Sequence, residues 1–291
     1  MKNPTFYIVD VFAEEKFAGN QLAVFRGGGN LAAGQMQAIA REMHFSETTF
    51  ILSEDKRKGG YDVRIFTPST EVPFAGHPTL GTEHIIRSEI EKSNSGQIVL
   101  NLQVGQIPVD FTGEISRMKQ VAPEFGEKVD AAAVASVLGL TSAEIDERFP
   151  VGQVSTGLPH IIVPLKKLDS LKKARVSLDK YYSLIDKTWA KAVLIFCPES
   201  HTGQNDISVR MFADAYGVFE DPATGSGNGC LAAYLVKNRY WGKSEIDIRA
   251  EQGYEINRPS LLYLQAKEMK GRIEVYVGGK SITVARGELQ V

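Results

Sequence analysis

The chain has 291 residues, enough for two domains of ordinary size. Residues of the set AVILMFWYC make up 43% and charged residues 23%, a globular balance that excludes a long disordered chain, a collagen and a coiled-coil rod. Thirty-three Lys and Arg stand against 35 Asp and Glu, a net charge of -2 without the basic excess of a nucleic-acid binder. The most apolar helical stretch, Ala131 to Leu140, is about half the length needed to cross a bilayer. The first residues lack the apolar core and cleavage site of a signal peptide. Two cysteines, Cys197 and Cys230, are too few for a disulfide framework or a four-cysteine metal site. The expectation is two buried, reduced thiols in a cytoplasmic protein that binds neither membrane nor nucleic acid.

Short β-branched or aromatic runs bounded by Gly, Pro, Asn or Asp predict strands over most of the chain. In the first part these are Thr5–Phe12, Gln21–Arg26, Thr48–Ser53, Tyr61–Phe66, Gln97–Gln103, Ile107–Phe111 and Ile115–Val121. Gly27-Gly28-Gly29 reads as a flexible connector between a strand and a helix. Later runs are Ile161–Leu165, Lys191–Cys197, Ile207–Phe212, Glu245–Ala250, Ser260–Lys267, Arg272–Val277 and Ser281–Arg286. Helices are expected over Ala32–Met43, Pro78–Ser88, Ala131–Leu138, Leu178–Ile185 and Ser226–Lys237. The first has Met36, Ile39, Ala40 and Met43 on one face. Strands dominate and helices do not alternate with them, so the fold class is α+β rather than a doubly wound sheet.

A repeat runs through this order. Val63-Arg64-Ile65-Phe66 matches Val209-Arg210-Met211-Phe212. After each comes a loop, then a Phe, then a Gly-rich turn opening a helix: Phe74 to Gly81 in the first case, Phe219 to Gly227 in the second. The shared order predicts an internal duplication and two similar lobes. The N-terminal lobe is residues 1–120, with the C-terminal strand 280–291 a candidate to complete it. Residues 121–279 are expected to form the other lobe, so that what each lobe offers at its helix start can face the other across a cleft.

The two turn–helix segments carry the strongest chemical signal. Free N–H groups and the helix dipole at a helix start favour an anion, and glycine lets it approach the backbone. The competing reading is that these glycines serve only turns and tight packing. Gly225-x-Gly227-x-Gly229 lacks the dinucleotide spacing, and no phosphate-binding loop of the Gly-Lys-Ser/Thr type occurs. His77 and His84 are too far apart along a helix for the usual zinc pair, so no metal is expected. Among the carboxylates two stand out. Glu47 lies among small and apolar neighbours, where burial would raise its pKa, or else it makes only a strand-entry hydrogen bond. Asp221 precedes Pro222 at the second Gly-rich turn, as a site residue or simply as a helix cap. His77 has the same two readings.

These segments together resemble the phenazine-biosynthesis PhzF-like family, within the diaminopimelate-epimerase-like fold. The matching stretches are Asp10-Val11-Phe12 with Phe17 to Val24, Ala40-Arg41-Glu42 with Ser46 to Phe50, Arg64 to Gly81, and Arg210-x-Phe212 with Gly217 and Glu220 to Ser226. The resemblance implies two similar lobes, each a curved sheet around a central helix, with the active site in the cleft, and a homodimer. It also implies a cofactor-independent isomerisation of a small unsaturated carboxylic acid such as a dihydro-hydroxyanthranilate. In that reaction a carboxylate moves a proton between carbons. By motif the carboxylate corresponds to Glu47, while His77, Asp221 and Ser226 fall on positions that line the site. His77 and Asp221 would orient and polarise. Gly225, Ser226 and Gly227 would donate N–H groups to the substrate carboxylate, and Ser46 and Gly76 would touch substrate. The related two-cysteine epimerases place thiols where this chain has Ala75 and Thr224, so that chemistry is not expected. Gln21, His44-Phe45 and Ala213 to Tyr216 depart from the commoner pattern and bear on substrate identity. The alternatives are an epimerase-type enzyme on another small acid and a non-catalytic small-molecule binder of the same fold.

Overall fold

The computed structural model describes residues 3–290; residues 1, 2 and 291, assigned above to the N-terminal lobe, lie outside the described residues. In chain order the first elements are β1 (Thr5–Val11), β2 (Asn20–Arg26), α1 (Ala33–Met43), β3 (Thr48–Ile51), β4 (Tyr61–Phe66), β5 (Glu71–Val72), α2 (Gly76–Ile85), β6 (Ser95–Leu102), β7 (Gly105–Thr112) and β8 (Ile115–Lys119). Then come β9 (Glu124–Lys128), α3 (Ala131–Val137), β10 (Gly152–Ser155), β11 (Pro159–Pro164), α4 (Leu168–Lys173) and α5 (Leu178–Ile185). The last are β12 (Ala192–Cys197), β13 (Ile207–Ala213), β14 (Val218–Asp221), α6 (Gly225–Lys237), β15 (Glu245–Gln252), β16 (Ser260–Met269) and β17 (Arg272–Glu288). The class is α+β, with strands far outnumbering helices.

The chain divides into two compact units, residues up to Met118 with those from Gly278 onward, and Lys119–Val277. In the first unit pairing runs β17–β1–β2–β3–β4–β6–β7–β8 and returns to β17, so the sheet closes on itself. Helix α2 packs against β1, β2, β3, β6 and β7. His77 to Glu83 are all buried, as a helix without a water-facing side requires. A Cβ on Gly81 would come within 2.8 Å of Val11 Cγ2 and closer still to Leu22, so only glycine lets this helix sit so near the sheet. Helix α1 lays Met36, Ile39 and Ala40 on a core of Ala23, Phe25, Phe50 and Phe66. There Phe25 and Phe50 stack at 5.1 Å and Phe66 meets Phe50 edge-on at 5.6 Å.

In the second unit β9–β10–β11–β12–β13–β15–β16 form the sheet, and β14 adds to β13. Helix α6, buried along nearly its whole length, packs on β10, β11, β15 and β16. A separate core joins Val134 and Leu138 with Leu171, Tyr181, Val193 and Ile195.

The pairing scheme of the two units is the same element for element. An antiparallel pair (β1–β2; β10–β11) leads by a crossover to a parallel neighbour (β3; β12). That strand pairs antiparallel with a longer one (β4; β13), which takes a short antiparallel partner (β5; β14). The buried helix (α2; α6) then crosses to a strand parallel to the longer one (β6; β15), which pairs antiparallel with the next (β7; β16).

Several expectations need correction. The runs Arg272–Val277 and Ser281–Arg286 are one strand, β17, because Gly278 continues it where a Cβ would meet the Ser116 carbonyl at 2.5 Å. Gly27 to Gly29 is no flexible connector: Gly28–Asn30 form a 3-10 turn, Gly28 is buried, and a Cβ on Gly29 would run into the Leu52 carbonyl oxygen. The helix expected over Pro78–Ser88 closes its α-helical part at Ile85 and widens into a π-helical turn over Ile86–Glu91. Strands β5, β9, β10 and β14 and helix α4 were not expected. β9 is exposed throughout, so it has no hydrophobic pattern to read.

Candidate active site

In the first unit, Glu47 lies in the short link from α1 to β3. Helix α1 ends on His44, which takes a left-handed φ of 55° while its N–H bonds the Ala40 carbonyl at 3.2 Å. Four residues later Thr48 enters the sheet between Ala23 and Phe66, which fixes where Glu47 stands. His77 is the second residue of α2, after the extended cap residue Ala75. Glu47 Oε2 comes 3.4 Å from His77 Nε2, with the Glu47 side chain 20% exposed and His77 8%. Sequence reading marked both residues, and the structure brings them together. Ser46 precedes Glu47 and Gly76 opens α2; both are half-buried.

Burial drives the His77 imidazole down to about 3, and a hydrogen bond with the backbone of Gln21 only partly opposes this. The ring is therefore neutral near pH 7, and its approach to Glu47 is not an ion pair. The Gln21 bond favours the protonated ring, so the backbone carbonyl is the acceptor. Nε2 has no hydrogen-bond partner, which leaves Nδ1 as the donor to Gln21. In the neutral ring Nε2 then carries the lone pair, and it points at the Glu47 carboxyl group.

In the second unit, Asp221 ends β14 opposite Met211 of β13 and is buried. It is not the cap of α6; Thr224 is, and Thr224 gives the helix no side-chain cap bond. Its hydroxyl donates instead to Asp221 Oδ2 at 2.5 Å. The N–H groups of Gly225, Ser226 and Gly227 therefore receive no cap from the residue that would ordinarily supply one. Gly225 and Gly227 are buried and Ser226 is half-buried. A Cβ on Gly227 would lie 2.9 Å from Leu194 Cδ1 and 3.2 Å from His160 Nε2.

Sequence reasoning missed the residues behind Asp221. Gln252 of β15 donates to the Asp221 carbonyl at 2.7 Å and to Thr224 Oγ1 at 3.0 Å. It accepts from Thr224 N at 3.2 Å and from Asn228 Nδ2 at 2.8 Å. Only strand register could have pointed to Gln252, since it lies 28 residues beyond Thr224 outside any motif. Cys197 and Cys230 are fully buried, and burial pushes both thiols up to about 12. Among the described residues no three His, Cys, Asp or Glu side chains converge as a metal site would need, and no helix is long and apolar enough to cross a membrane.

Residues 9–287 match the family described as phenazine biosynthesis-like protein. The trans-2,3-dihydro-3-hydroxyanthranilate isomerase of Pseudomonas fluorescens is 34% identical over 297 residues, covering 98% of each chain. An uncharacterised isomerase of Clostridium acetobutylicum is 31% identical over 293 residues, covering 97% of each. The crystal structure of a PhzF-family phenazine biosynthesis protein from Bacillus anthracis superposes with a TM-score of 0.91 at 25% identity, covering 100% of both chains. The chain belongs to the phenazine biosynthesis-like protein family, and within it to the isomerases.

Proposed function

We propose that this chain is a cofactor-independent isomerase that removes a proton from one carbon of a small unsaturated carboxylic acid and returns it to another. The compound named for its relative, trans-2,3-dihydro-3-hydroxyanthranilate, is the first substrate to try. The observation that carries this reading is the approach of Glu47 to a neutral His77 at 3.4 Å. As a carboxylate, Glu47 takes the substrate proton. As the resulting acid, it donates a hydrogen bond to His77 Nε2, which holds the proton on the enzyme until it is returned. A neutral, buried imidazole suits this task because it accepts without competing for the proton near pH 7. Asp221 orients and polarises the substrate, and the N–H groups of Gly225, Ser226 and Gly227 bind its carboxylate. The two thiols, neutral and buried, supply no base, which supports a carboxylate over a two-cysteine mechanism. Two reduced thiols also fit a cytoplasmic setting. We expect a homodimer.

The repeated pairing scheme supports an internal duplication as the origin of the two units. In each unit the repeated Arg forks onto the matching Glu and lies over the matching Phe ring. Arg64 forks onto Glu71 at 2.7 and 2.6 Å and lies over the Phe66 ring at 5.0 Å. Arg210 forks onto Glu220 at 2.8 Å twice and lies over the Phe212 ring at 4.9 Å.

The test is turnover of trans-2,3-dihydro-3-hydroxyanthranilate in deuterated water. The expected result is an isomerised product carrying solvent deuterium, with Glu47→Gln slower by at least ~10²-fold. A wild-type protein that leaves this compound unchanged contradicts the substrate assignment. A Glu47→Gln protein that still exchanges at the wild-type rate contradicts the base.

A further inference from the structure

The side chain of Gln252 has two N–H donors and an oxygen with two lone pairs, and all four find partners inside the second unit. Backbone groups fix which way round the amide lies. The Asp221 carbonyl can only accept and Thr224 N can only donate, so Nε2 must face the first and Oε1 the second. This sets the direction of the next bond. Gln252 Nε2 occupies a lone pair of Thr224 Oγ1, and the Thr224 hydrogen goes to Asp221 Oδ2. The chain of donors runs one way, from Gln252 through Thr224 to the carboxylate. Gln252, Thr224 and Asp221 are all buried, so each bond stands in a low dielectric, where it is strong and costly to lose.

The first unit contains the same frame without this network. Ile65 faces Val72 across β4 and β5, where Met211 faces Asp221 across β13 and β14. Ala75 caps α2 where Thr224 caps α6. Leu100 is opposite Tyr61 as Ala250 is opposite Ile207, which puts Leu102 at the position of Gln252. Val72, Ala75 and Leu102 thus stand where the second unit has Asp221, Thr224 and Gln252. One frame closes with three apolar or small residues and the other with three polar ones. The fold does not require the polar trio; the carboxylate at its end does.

We propose that Thr224 and Gln252 are positioning residues, forming a one-way hydrogen-bond relay that presents the Asp221 carboxylate in a single orientation for the reaction. This rests on the reading above that Asp221 serves the isomerisation. Thr224→Val keeps the shape of the side chain and removes the hydroxyl, while Thr224→Ser keeps the hydroxyl. Gln252→Leu installs the residue of the other unit.

The measurements are kcat and KM with trans-2,3-dihydro-3-hydroxyanthranilate, thermal melting, and crystal structures of the unliganded variants. Thr224→Val and Gln252→Leu are expected to fold and to lose roughly tenfold or more in kcat with little change in KM, as for loss of a hydrogen bond to a charged group. Thr224→Ser should restore most of the rate. In an Asp221→Asn background Thr224→Val should cost nothing further, because the relay then has no carboxylate to present. The unliganded Thr224→Val structure should show the Asp221 side chain turned from its present position, and the Thr224→Ser structure should not. The relay is overturned if Asp221→Asn is impaired while Thr224→Val is not, if the two losses multiply, or if the carboxylate stays in place in Thr224→Val. Full activity in Asp221→Asn would instead refute the reading of Asp221, and the relay with it.

Discussion

The two units share a frame and differ at the positions proposed to carry the chemistry. At the end of β5 and β14 the pair is Val72 and Asp221; at the helix caps it is Ala75 and Thr224; at the second helical residue it is His77 and Ser226. Thr48 faces Phe66 as Val193 faces Phe212, so Glu47 corresponds to Ala192. Ala192 is buried and has no ionisable side chain, so this position of the second unit offers no base. Both units keep the Arg–Glu fork, the buried helix and the strand order. We propose that the first unit carries the base and the second an oriented carboxylate.

The two forks should differ most in what they contribute to stability. The side chains of Arg210 and Glu220 are 4% and 6% exposed, and Arg210 also donates to the carbonyls of Leu171 and Ala174 at 2.9 Å. Those of Arg64 and Glu71 are 28% and 22% exposed. Arg210→Ala leaves a buried carboxylate and two carbonyls without their partner. It should lower the unfolding free energy by about 3–5 kcal/mol. Arg64→Ala, screened by water, should cost about 1 kcal/mol. Urea denaturation of both variants checks this, and equal losses would mean that the two forks do not differ in burial as described.

A smaller effect separates the glycines. Gly278→Ala must push against the Ser116 carbonyl oxygen and Arg117 Cγ, each at 2.5 Å, with the Arg117 backbone behind at 3.2 Å. It should destabilise by about 1–3 kcal/mol, in the range of overpacking. Gly34→Ala, in α1 with nothing within 4 Å, should be stabilising by up to about 1 kcal/mol through helix propensity. Melting curves of the two variants should therefore move in opposite directions.

His201 should respond to pH in the opposite direction to His77, His84 and His160. Burial lowers His201, but its bonds to Glu251 and Glu255 outweigh this and raise it to about 9. A raised folded pKa adds stability below about 6.5 that disappears as pH climbs through 9. Wild-type unfolding free energy should decline across that window by up to about 1.4 kcal/mol per pH unit, and His201→Gln should lose that decline. His77 and His84 of the first unit run the other way. Burial lowers them to about 3 and 4, so their contribution is lost as pH falls below about 6.5. His160, also lowered to about 4 by burial, joins them, while Glu83, raised to about 7 by burial, works against them. Denaturation at stepped pH measures both limbs.

Much of the frame was legible in the sequence, because Val-Arg-x-Phe followed by a Phe and a Gly-rich helix start is local and appears twice. Glu47 and His77 were legible as residues at element boundaries. Their 3.4 Å approach was not, since it depends on β3 being held between β2 and β4 beside the start of α2. The neutrality of His77 follows from burial inside a closed sheet, which no local pattern announces. Gly278 read as a break because glycine usually ends a strand; here it lets a long strand pass close to Ser116. Gln252 belongs to β15, where alternation places it inward but says nothing of what it meets. Its role comes from standing beside Thr224 and Asp221.

The central claim is that the first unit supplies the proton-transfer base through Glu47. The most direct measurement is solvent deuterium incorporation into trans-2,3-dihydro-3-hydroxyanthranilate, followed by NMR for wild type, Glu47→Gln and His77→Gln. Glu47→Gln should lose at least ~10²-fold in exchange with its melting temperature nearly unchanged. His77→Gln, which leaves the carboxylate and replaces the imidazole beside it by an amide, should lose less. Exchange by Glu47→Gln at the wild-type rate would contradict the claim, and a dead Asp221→Asn beside it would move the base to the second unit.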